Sequence, residues 1–172
     1  MTIEVKLILY LFLLAAAVLD GRTGKIPNVL VCAALLAGAV WYGQSGWGEL
    51  GLYGIRIIGF AVPFLVPFFA GMWGGGDVKA IAVIGGLAGW KAGIWILCIS
   101  LVLAAAAALC KMLRYGILRK RMTLLSSYIE RVCRTGRLLP YPADRKDRSA
   151  TLRMSLFFLT GTFLYGVSCL IL

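Results

Sequence analysis

The chain has 172 residues, 61% of them hydrophobic, with 21 glycines and a mean hydropathy of +0.90; this composition excludes an ordinary soluble globule and reads as an integral membrane protein. The formal charge of +11 does not point to nucleic acid, because twelve of the eighteen Lys and Arg residues fall between Lys111 and Arg153, the distribution of a cytoplasmic loop. At roughly 20 residues per spanning helix, the length suits a single membrane domain, residues 1–172, of all-α class with about six transmembrane helices.

The first apolar segment runs from about Ile3 to Leu19, with Lys6 near its start and Ala15-Ala16-Ala17 near its end, a pattern shared with cleavable signal peptides. Cleavage there would discard the span that carries Asp20, so retention is the expectation. Gly21 to Asn28 is a short polar turn whose Arg22 and Lys25 place it in the cytoplasm. Pro27 suits the first turn of a second helix that extends to about Tyr42. The next connection, Gly43 to Glu49, has no Lys or Arg and is bordered by Trp41, Trp47 and Tyr53, so it is assigned to the outside. A third span follows from about Leu50 to Gly71. Arg56 is expected to reach the outer interface, and Pro63 and Pro67 to kink the helix.

The chain then returns to the inner surface at Met72-Trp73 and enters Gly74-Gly75-Gly76-Asp77-Val78-Lys79. A short fourth helix is predicted from about Val78 to Leu87, a turn over Gly89 to Gly93, and a fifth span from about Ile94 to Met112. The basic stretch at about 113–151 is placed inside, with a short helix from about Ser126 to Cys133 resting on anionic headgroups as a lipid-contacting face. A last span runs from about Leu152 to Leu172. Six spans with both termini outside satisfy the positive-inside rule at every loop except the one holding Lys91. They also bring Asp20 and Asp77 together on the cytoplasmic side.

Acid is scarce, with seven Asp and Glu residues in all, and an ionisable group at membrane depth is costly enough to suggest function. Two carboxylates close together share a proton, and with a water between them one acts as base while the other, protonated, polarises a carbonyl. Such chemistry needs no metal, no cofactor and no histidine, and this chain has no histidine. The five cysteines, without CxxC spacing, do not indicate a zinc or redox site and are predicted to pack as small hydrophobes. Glycines beside Asp77 would let an extended peptide backbone pass close by. Two readings compete: Asp77 as a plain N-cap of the fourth helix, and a small transporter or channel subunit whose intramembrane acids bind an ion.

Gly74-x-Gly76-Asp77 resembles the GxGD signature of intramembrane-type aspartyl peptidases. Asp20-x-Arg22-x-x-Lys25-Ile26-Pro27-Asn28 resembles the first-aspartate motif of type IV prepilin peptidases. The resemblance implies an aspartic endopeptidase that removes the basic leader from prepilin or pseudopilin precursors at the cytoplasmic membrane face. It implies Asp20 and Asp77 as catalytic residues, Gly74 and Gly76 as substrate-binding residues, and membrane lipid as surroundings. The larger bifunctional members carry a domain with paired CxxC motifs that accompanies N-methylation; this chain lacks it and is similar to the short, peptidase-only form. Leu139-Pro140-Tyr141-Pro142-Ala143 loosely echoes a stretch of the short members, with no catalytic role implied.

Overall fold

Residues 80–88 are buried without interruption, a pattern that a helix shows only when neighbours surround it on all sides. The computed structural model, which describes residues 2–71, 73–136 and 152–171, explains this with an all-helical bundle. Its elements are α1 (Ile3–Thr23), α2 (Asn28–Gln44), α3 (Trp47–Phe69), α4 (Gly75–Arg114), α5 (Leu118–Thr135) and α6 (Met154–Ile171). No strand occurs among the described residues. Helix α4 packs against all five others, whereas α5, among the described residues, packs on α4 alone.

Although α4 is 40 residues long, Gly89 within it has φ 78° and ψ 178°, a region of backbone space that essentially only glycine enters. A Cβ added to Gly93 would lie 3.5 Å from the Cα of Gly85. Eight residues of straight helix span about 12 Å, so the halves 75–88 and 90–114 fold back beside each other. Phe60 of α3 fills the space left by the missing side chains of Gly85 and Gly93. Its ring also lies 5.3 Å from that of Trp90. Tyr42 of α2 donates to the carbonyl of Leu87, two residues before the break, at 2.9 Å.

The remaining contacts wrap this pillar. Leu9, Leu13 and Ala16 of α1 are fully buried, joining Ile81, Ile84 and Phe158 in one core. Tyr10 donates to the carbonyl of Thr162 at 3.0 Å, tying α1 to α6. Helices α3 and α4 are long and apolar enough to cross a membrane, and α2 and residues 154–169 are apolar but shorter. In α1 the apolar run is bounded by Glu4 and Lys6 at one end and Asp20 and Arg22 at the other. The outer surface is apolar as well: Leu36, Ile58, Val62, Val66, Trp95 and Val102 are all exposed.

Several expectations change. The six helices do not correspond one to one with the six expected spans: α4 holds the fourth and fifth together, and α5 is the helix of the basic stretch, eight residues earlier in its start than Ser126. Helix α1 continues four residues past Leu19 because Gly24, at φ 68°, closes its end with an N–H bond to the carbonyl of Asp20, the left-handed C-cap that glycine favours. Arg56, expected to reach the outer interface, is largely buried and turns toward the start of α3. Its side chain is 17% exposed, 3.8 Å from Glu49 and over the ring of Tyr42. All five cysteines are exposed rather than packed inside, since the exterior of these helices is itself apolar and offers a thiol no reason to turn inward.

Candidate active site

One end of the bundle gathers the end of α1, the start of α2, the start of α4 and the start of α6. Asp20 sits in the last turn of α1, half-buried. Ser155, in the first turn of α6, donates its hydroxyl to Oδ2 of Asp20 at 2.5 Å. The segments that carry Asp20 and Asp77, 57 positions apart in sequence, meet at this end, where Ile26 packs on Gly76 and Lys79 bonds Asn28.

Asp77 is not the N-cap. Helix α4 begins at Gly75 with Gly74 as its cap, which makes Asp77 the third helical residue. Its Oδ2 accepts the N–H of Gly74 at 3.2 Å, while its own N–H donates to the carbonyl of Gly74 at 3.1 Å. The carboxylate thus reaches back to the cap's N–H as the third residue of a capping box does, while the bond to the Gly74 carbonyl is a backbone turn. A Cβ on Gly74 would come within 3.1 Å of that same carboxylate oxygen. Gly74 is exposed. Gly76 faces the protein, where an added Cβ would meet Ile26 at 3.3 Å, so its bareness also lets the α1–α2 turn close on α4.

A second tie joins the same segments. Lys79 donates from Nζ to Oδ1 of Asn28 at 2.5 Å. The residues of the Asp20 to Asn28 stretch and of the Gly74 to Lys79 stretch are therefore interlocked at two points, Ile26 against Gly76 and Asn28 against Lys79. Arg22 and Lys25 are exposed. Arg153, the residue before α6, reaches the surface of α1 beside Gly21. Leu139 to Ala143 lies outside the described residues.

Ser155, Asn28 and Lys79 were not assigned from sequence as parts of the site. Asn28 and Lys79 stand inside the quoted motifs, so proximity to the acids was the available signal. Ser155 had none, being 135 positions from its partner. An apolar groove of about 680 Å³, lined by residues including Tyr10, Leu103, Phe157 and Phe163, holds neither aspartate. The candidate site is placed at the carboxylates because they supply groups able to move a proton and the groove wall is almost wholly hydrocarbon.

A sequence model of the type IV leader peptidase family matches residues 7–109, more than half of the chain and including both aspartates. The chain belongs to the type IV leader peptidase family. Membership supports a prepilin-type peptidase acting on prepilin-like precursors. No curated protein and no solved structure matches the chain. Within this leader peptidase, α5 and α6, including Ser155, lie beyond the matched residues.

Proposed function

We propose that this leader peptidase is an aspartic endopeptidase of the cytoplasmic membrane, with Asp20 and Asp77 as its catalytic pair. The observation that carries the reading is the interlocking of the two aspartate-bearing segments at one end of the bundle, through Lys79 and Asn28 and through Ile26 and Gly76. One carboxylate removes a proton from water while the water oxygen bonds to the scissile carbonyl carbon. The other, protonated, hydrogen-bonds the carbonyl oxygen, then passes its proton to the departing nitrogen as the C–N bond breaks. No cofactor is required. Gly74 and Gly76 provide bare backbone beside which an extended substrate lies.

The substrate is a pilin-like precursor with a basic leader followed by an apolar helix, cut at the cytoplasmic face. The chain crosses the membrane six times in this reading, counting α4 as two passes on either side of Gly89. Lipid surrounds the exposed apolar faces. Helix α5 lies along the inner leaflet: Met122, Leu125 and Ile129 form an exposed apolar stripe, with Arg119 and Arg134 on other faces, the pattern of an interfacial helix against anionic headgroups.

Co-expression with candidate precursors, followed by intact-mass measurement of each, tests the activity. A mass loss equal to the leader is expected for at least one precursor. Unchanged mass for all precursors of this kind, with the peptidase present in the membrane, contradicts the proposal.

A further inference from the structure

Three serine and threonine side chains are buried among the described residues: Ser100, Ser155 and Thr162. Two of them bond back to their own helix in the ordinary way, Ser100 to the carbonyl of Ile96 and Thr162 to that of Phe158. Ser155 stands one residue into α6, so it has no carbonyl of that helix a turn behind it. Its hydroxyl instead crosses to α1 and donates to Oδ2 of Asp20 at 2.5 Å, the short distance typical of an O–H donor on a carboxylate.

The two acids are held in parallel ways. Among the described residues each carboxylate receives one hydrogen bond, and both bonds fall on Oδ2: from Ser155 to Asp20 and from the N–H of Gly74 to Asp77. Asp77 is oriented by its own helix cap. Asp20 has no such local device, because it lies at the C-terminal end of α1, where the backbone offers carbonyls rather than N–H donors. A donor for it must come from another element, and α6 supplies one. Ser155 is 1% exposed, so water does not compete for its hydroxyl.

We infer that Ser155 is a positioning residue for the proposed cleavage, fixing the carboxylate of Asp20 through Oδ2 so that Oδ1 is kept for water and for Asp77. The inference rests on the reading of Asp20 and Asp77 as a catalytic pair. It also makes α6, outside the family-matched residues, part of the working site. A carboxylate left to rotate would spend much of its time out of line for proton transfer, and a loss of alignment appears in turnover rather than in substrate binding.

The test is steady-state cleavage of a prepilin substrate by purified full-length Ser155→Ala, Ser155→Thr and Thr160→Val, with folded protein quantified for each. Ser155→Ala is expected to lower kcat by roughly ten- to a hundredfold, the scale of a hydrogen bond to a charged group, with KM unchanged. Ser155→Thr, which keeps the hydroxyl, should recover most of that loss. Thr160→Val, on the same helix but exposed, should match the parent. Wild-type kcat in Ser155→Ala overturns the inference, as does a loss confined to KM or equal in the Ala and Thr variants. If Ser155→Ala reduces the amount of folded protein, the kcat per folded molecule of Ser155→Thr decides, and a Thr variant as slow as Asp20→Asn sinks the hydroxyl's role. The underlying pair is judged separately: cleavage by Asp20→Asn or Asp77→Asn removes the pair itself, whereas inactivity of both beside a normal Ser155→Ala removes only Ser155.

Discussion

The side chains of Lys79 and Asn28 meet at 2.5 Å, joining the starts of α2 and α4 on the side of the bundle where both aspartates lie. Two helix starts that are far apart in sequence are thereby pinned to each other. The contact is exposed, so its contribution to stability is small, and its value lies in alignment. In a double-mutant cycle, Asn28→Ala and Lys79→Met should each lower cleavage, and the double variant should lose less than the sum of the two. A coupling of about 0.5–1.5 kcal/mol in the cleavage barrier is expected. Strict additivity would mean that the two residues act independently.

The fold-back of α4 depends on two different properties of glycine, which separate experimentally. Gly85 is needed for room, since its missing side chain is replaced by the ring of Phe60. Gly89 is needed for its backbone, with φ at 78° and open space around it. Gly85→Ala should destabilise the protein by about 1–3 kcal/mol through overpacking and be partly rescued by Phe60→Leu. Gly89→Ala should cost about 1–3 kcal/mol through strain and gain nothing from Phe60→Leu. Thermal unfolding in detergent reads both, and equal rescue of the two variants would contradict this assignment.

Much of this was legible in the sequence, and the parts that were not share a cause. The two motifs and the turn near Gly89 are local patterns, readable from spacing and from glycine. The start of α5 is also legible, because Leu118, Met122, Leu125 and Ile129 recur at helical spacing, although the segment is too basic to read as an apolar span. Gly24 carried the signal for the longer α1, as the residue that ends a helix in left-handed conformation. The cysteines lie on the outside because exposure in a membrane-type bundle does not follow polarity. Ser155 depends on how α6 meets α1, and no local rule contains that.

The proposed orientation gives a further expectation. Gln44 closes α2 at the end opposite Asp20, and Ser126 lies on α5, both exposed. All five native cysteines are exposed, so replacing them should leave the core intact. In an active cysteine-free protein with single cysteines at these positions, a membrane-impermeant thiol reagent on intact cells should label position 44 and spare position 126. The reverse pattern would place both aspartates on the outside and exclude cleavage of a cytoplasmic leader.

The catalytic pair itself is tested most directly by cleavage of a prepilin substrate with Asp20→Asn and Asp77→Asn, with Glu130→Gln on α5 as a control. An amide keeps the shape of the side chain but cannot share or transfer the proton, so each aspartate variant should fold, insert and lose cleavage by at least about a hundredfold. Glu130, an exposed partner of Arg134 at 2.7 Å, should tolerate its change with activity intact. Near-normal turnover by either Asp20→Asn or Asp77→Asn would contradict the account, because the proposed chemistry has no other acid to replace the one removed.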